Sequence, residues 1–238
     1  MPSVFSSARQ LGVNTGLVGW YHPYSRVLGL SLNYCAWFPI GNIEPTRARG
    51  FGASFRRQLC CLAASFYYRK LHVDICRSCL AESVPLATNN AYGLVLLHLP
   101  PPHKPGVYLP EEKRFTILGL PKVRGYFNNL ALADHCLGIL RHALESAGQW
   151  DRTWVILSAD HSWRESQVFD GKRDCRVPFL VKAAGDNAPI TYPAEFNTVL
   201  THDLILAVLS SEITDQPHLL TWLDANRSSH ATLSDQSR

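Results

Sequence analysis

Asp160 and His161 stand side by side directly after the apolar run TWVILS at residues 153–158. A carboxylate oxygen and an imidazole nitrogen at the end of a buried strand can both turn toward one divalent cation. The same dipeptide also fits Asp160 capping a turn beside an exposed His161. His98 lies at the end of a second apolar run, YGLVLLHL at residues 92–99, and His103 follows it within PPPHKPG. Prolines restrict the backbone around an imidazole that gives or takes a proton near neutral pH, so His103 is either a site residue or a loop histidine held by its neighbours. His22 follows a third run at residues 14–19. Lys172, in DGKR, is either a cation for anionic oxygens or a solvated turn residue. Cys76 and Cys79 form a single CxxC, and Cys60 and Cys61 supply only an unspaced second pair. Half a zinc site or a redox pair therefore competes with small buried residues in a helix.

The elements that must position these residues are legible in part. Residues 3–11 read as a short helix with Ser3 at its N-cap and Gly12 as its stop, followed by a strand over 14–19. Residues 21–45 are rich in Gly, Pro and aromatics and give no clear period, while 55–71 fit an amphipathic helix. Between 128 and 147, Leu130, Ala133, Leu137, Leu140 and Leu144 recur at steps of three and four, with Gly148 after them. VPFLVK at 177–182 is a further strand, and Thr201 is placed to cap a final helix through Leu209. Strands alternating with helices predict an α/β fold with a mainly parallel central sheet and helices on both faces, its site at the strands' carboxyl ends. Residues 1–226 read as one domain and 227–238 as a disordered tail.

Composition removes several function classes. A net charge of +4 with scattered short basic clusters gives no tract for a nucleic-acid partner. The first residues lack the basic and apolar regions of a signal peptide. The longest apolar stretch, 59–68, falls far short of the ~20 residues a membrane span requires. Seven cysteines without framework spacing fit a reducing compartment better than a disulfide scaffold.

The string LESAGQWDRTWVILSADHSW followed by DGKRDCRVPFLVKAAG resembles the sulfatase/alkaline-phosphatase superfamily over residues 128–185. There a helix ends at a glycine, a strand closes on an aspartate followed by histidine or asparagine, and a lysine and an Arg-Val-Pro strand come next. LLHLPPPHKPGVY resembles the family's histidine- and proline-bearing loop, and LGVNTGLVGWYHPY resembles its segment before the catalytic histidine. The resemblance implies metal ligation by Asp160 and His161, protonation of a leaving group by His103, a place near the nucleophile for His22, and anion contact by Lys172. Trp20 stands where the family has a lysine.

None of the seven cysteines lies in the family's Cys-x-Pro-Ser-Arg or Cys-x-Ala-x-Arg context, and no acidic strand precedes His22. The expectation is a sulfatase-like, metal-dependent hydrolase or transferase of sulfate or phosphate esters in a truncated form, lacking the N-terminal strand and nucleophile helix. It would be weakly active or inactive, with an incompletely liganded divalent ion (Ca, Mg, Mn or Zn). The alternative is a non-catalytic remnant that binds an anion or a protein partner. No signal or span fixes its location, although the family's full-length members are often exported or membrane-anchored.

Overall fold

The computed structural model describes residues 2–39, 51–185 and 188–227, so all but the first residue of the expected tail lies outside the described residues. The chain divides into two compact units, Met1–Ser146 and Ala147–Arg238.

In the first unit, α1 (Val4–Gln10) starts at Ser3, whose Oγ accepts the Ser6 N–H at 3.1 Å. The capping oxygen satisfies a donor that the first turn leaves without a partner. The strand β1 (Thr15–Trp20) is buried along its whole length. After a short helix α2 (Tyr24–Leu28), β2 (Tyr34–Phe38) pairs parallel with one edge of β1. β3 (Leu94–His98) pairs parallel with the other, giving the order β2-β1-β3. A central parallel strand loses water on both faces and both edges, which explains why β1 reads as a continuous apolar run.

Between β2 and β3 lies α3 (Phe51–Ala87), twice the length that the 55–71 pattern predicts. Its later turns bury Ile75, Cys79 and Leu86 with Val18 and Trp20 of β1, and Val73 and Cys76 with another set of side chains. A helix covered on two sides carries no single apolar stripe, so its continuation is hidden from a one-face periodicity test. The second contact is with α4 (Lys122–Ser146), which follows a two-stranded antiparallel ribbon of β4 (Tyr108–Leu109) and β5 (Arg114–Phe115). α4 starts six residues before the expected 128 and buries Asn128, Asn129, Leu132, Cys136, Leu140 and Leu144, while Leu130 is exposed. The buried face is thus turned from the expected one to include two asparagines. Cys76 and Cys79 are buried helix residues, and burial pushes both thiols up, Cys79 to about 12, which keeps them protonated and unreactive.

In the second unit, β6 (Val155–Ser158) and β7 (Phe179–Lys182) follow the expected runs but pair with each other antiparallel. Parallel neighbours need a crossover, usually helical, and the connection holds only the single-turn α5 (Gln167–Asp170). The expected sheet is therefore parallel in its three-stranded part only. Packed on this pair, α6 (Thr201–Leu209) and α7 (Gln216–Asn226) close a core of Leu204, Ala207, Ile213, Leu219 and Leu223 with Ile156, Phe179 and Val181. Thr201 is not the cap of α6: its hydroxyl donates to the Thr198 carbonyl at 2.6 Å. Asn197 instead caps the 3₁₀ turn Thr198–Leu200 that leads into the helix, accepting the Val199 N–H at 3.0 Å. α7, beyond the helix expected to be last, begins at Asp215, whose Oδ1 accepts the His218 N–H at 2.9 Å. Among the described residues no helix is long and apolar enough to cross a membrane.

Candidate functional site

The carboxyl ends of β1 and β3 carry the first group of predicted residues. Gly19 and His98 are register partners across the two strands. A Cβ on Gly19 would lie 2.6 Å from Tyr24 Cε2, so glycine lets the tyrosine ring lie against the strand end. From there the Tyr24 hydroxyl pairs with His98 Nδ1. His22 is exposed, and its ring stacks on that of His98 with centroids 5.9 Å apart. Trp20 is buried, and its ring meets His103 edge-on at 5.2 Å and His72 at 5.4 Å. Its indole Nε1 is buried with no hydrogen-bond partner, a neutral donor at the place where the resemblance implies an ammonium.

His103 is exposed at the loop after β3. Its N–H donates to the Pro100 carbonyl at 2.8 Å, and its Nδ1 lies 2.7 Å from the Lys104 carbonyl oxygen. A carbonyl only accepts, so Nδ1 carries the hydrogen and Nε2 is the nitrogen presented to a ligand. Beneath it, α3 contributes His72, 1% exposed, which sequence reasoning passed over because nothing in the helix pattern sets it apart. Neither ring nitrogen of His72 makes a hydrogen bond of normal geometry, although the His103 main chain lies close enough to favour the charged form slightly. Burial, and then the proximity of the His103 side chain, hold His72 down to about 4, so it is neutral at physiological pH.

In the second unit, Asp160 and His161 follow β6 as predicted, and both are exposed. His161 Nδ1 lies 2.7 Å from the Ser162 carbonyl, which fixes it as the N–H nitrogen and turns Nε2 into the lone-pair donor. That Nε2 lies 3.9 Å from Asp160 Oδ1, a separation at which both can reach one cation. They supply two donors, and among the described residues no group of three or more His, Cys, Asp or Glu is assembled to hold a metal ion. The donor set therefore fits part of a metal site. Lys172 follows α5 with its backbone N–H on Asp170 Oδ1 at 2.9 Å, and its ammonium has no partner among the described residues. Two residues on, Asp174 grips the Arg176 guanidinium through both carboxylate oxygens, at 3.0 and 2.7 Å, which holds its carboxyl down to about 2. The structure thus brings His22, His98 and His103 together around Trp20 in one unit, and Asp160 with His161 in the other.

A family model described as Sulfatase matches residues 80–211, more than half of the chain. The chain belongs to the sulfatase family. The match takes in β3, the His103 loop, α4, Asp160, His161 and Lys172, and it leaves out Trp20 and His22. Comparison with curated proteins and with solved structures yields no match. The match supports sulfatase-like hydrolase chemistry at the level of the superfamily. Asn129, buried on α4, is a polar residue of this sulfatase segment that sequence reasoning missed. Two adjacent asparagines on the apolar stripe of α4 were the available signal.

Proposed function

We propose that this sulfatase-family chain binds sulfate or phosphate esters with the residues of a hydrolase or transferase site but turns them over at trace level at most. The observation that carries the reading is shared by its two exposed site histidines. Each commits Nδ1 to the carbonyl one residue ahead, at 2.7 Å, and so keeps the ring lone pair on Nε2. For His161 this is the tautomer a cation ligand requires. For His103 it is the nitrogen that would hold a proton toward the ester's bridging oxygen.

In this reading Asp160 Oδ1 and His161 Nε2 donate to a divalent ion (Ca, Mg, Mn or Zn). When bound, that ion would place positive charge beside the anion's oxygens. Lys172 contacts the same anionic class through its ammonium. The limit on turnover comes from composition: the 238 residues hold no cysteine in the family's nucleophile context, and Trp20 replaces the lysine that would activate one. That buried indole also supports the second reading, a non-catalytic remnant that binds an anion or a protein partner.

Manganese(II) tests the cation half without turnover. Added to the purified chain, it is expected to broaden the His161 ring signals in NMR spectra, and Asp160→Ala should weaken that effect at least about tenfold. Equal broadening in the variant would remove Asp160 from the ligand set.

A further inference from the structure

We propose that Asn129 is the positioning residue for His103, holding the loop so that the imidazole keeps its Nδ1–H form with Nε2 outward. The proposal rests on the reading of His103 as the residue that meets the ester's leaving group, and it adds a residue that reading does not contain. Asn129 is 1% exposed in the second turn of α4. Its Nδ2 donates to the His103 carbonyl at 2.8 Å and the Pro105 carbonyl at 2.9 Å, and its Oδ1 accepts the Val107 N–H at 3.1 Å. Both carboxamide protons and the oxygen are therefore spent on one five-residue stretch.

Outside Asn129, the stretch is tied by the Thr116 N–H, which donates to the Val107 carbonyl at 2.8 Å. Pro100, Pro101, Pro102 and Pro105 have no N–H, so the loop cannot build a ladder of its own. Asparagine is a poor helix former, and buried on an apolar stripe it is costly unless its hydrogen bonds are all made. The bonds alternate along the loop. With the carbonyls of His103 and Pro105 drawn toward α4, the Lys104 carbonyl between them is turned to the His103 ring, where it takes Nδ1–H. Removing the carboxamide releases the flanking carbonyls and with them the acceptor that fixes the tautomer. A backbone contact allows helix and loop to come this close: a Cβ on Gly106 would stand 2.4 Å from Gly125 Cα.

Nitrogen-15 NMR of the histidine rings tests this on the whole chain, with Asn129→Ala, Asn129→Asp and, as a control on the same turn, Asn128→Ala. Asn128 donates to the Tyr108 carbonyl at 2.8 Å, whereas Asn129 bonds to His103, Pro105 and Val107. In the unmodified chain the neutral His103 ring should show the Nδ1–H tautomer alone. Both Asn129 variants should show a mixture, and Asn128→Ala should not. Inorganic sulfate, as the probe, should shift His103 Nε2 in the unmodified chain and do so about tenfold more weakly in the Asn129 variants. An unchanged tautomer in folded Asn129 variants overturns the positioning role. A tautomer change in a protein whose His103 never responds to sulfate keeps that role and removes the leaving-group reading instead. Should the variants not fold, the unmodified chain decides: slowly exchanging Asn129 carboxamide protons with nuclear Overhauser contacts to His103 and Pro105 support the clamp, and rapid exchange overturns it.

Discussion

Acidification from pH 6.5 to 4 is expected to lower the unfolding free energy by about 3 kcal/mol through His72 alone. The side chain is 1% exposed against Trp20 and Tyr68, and its nitrogens have no normal hydrogen bond to recover what burial removes. In the folded chain it binds a proton only near pH 4, whereas in the unfolded chain it does so near 6.5. Between those values the unfolded state holds more protons, so stability rises with pH across the window. It is complete above 6.5, is lost progressively on the way down to 4, and changes no further from this source below that. Urea unfolding at a series of pH values measures the slope. His72→Phe keeps an aromatic ring against Trp20 and should flatten it, and an equally steep profile in the variant would place the acid sensitivity elsewhere.

Gly106→Ala should cost about 3 kcal/mol, because the added carbon would stand 2.4 Å from the Cα of Gly125 and 3.0 Å from its carbonyl carbon. Neither neighbour is the flexible end of a side chain. The loop would have to lift from α4, taking with it the Asn129 bonds that hold His103. Gly138→Ala, in the same helix, meets nothing within 4 Å and should gain roughly 0.5–1 kcal/mol from helix propensity. Chemical denaturation of the two variants gives the contrast. Similar stabilities would mean that the loop and helix are not pressed together at this point.

What the residues revealed before the structure follows the physical nature of each signal. Ser3, Gly12 and the runs that became β1, β3, β6 and β7 were legible because capping and strand burial are local. The pairing of β6 with β7 was not, since a strand's apolar pattern says nothing about the direction of its neighbour. β2 was missed within an aromatic, Gly- and Pro-rich stretch whose five residues are only partly buried. α3 was read short because two buried faces cancel the period on which the reading depended. Thr201 was credited with a cap that Asn197 provides, and Asp215, followed by Pro217 in the first turn of α7, was a start signal left unused. At the site, Asp160, His161, His103 and Lys172 fall inside the matched sulfatase segment. His72 and Asn129 act through burial and through bonds to residues 22 or more positions away, which no spacing rule records.

The central proposal is that this chain binds anionic esters with side chains of a sulfatase-family site but holds no cysteine in the family's nucleophile context. Its most direct test is turnover of 4-nitrophenyl sulfate and 4-nitrophenyl phosphate by the purified chain, with Ca²⁺, Mg²⁺, Mn²⁺ or Zn²⁺ added in turn. No more than trace release of 4-nitrophenol is predicted with any of them. Substantial release by the unmodified chain that disappears in Asp160→Ala would contradict the account and make this a working esterase with a nucleophile outside the family's known contexts.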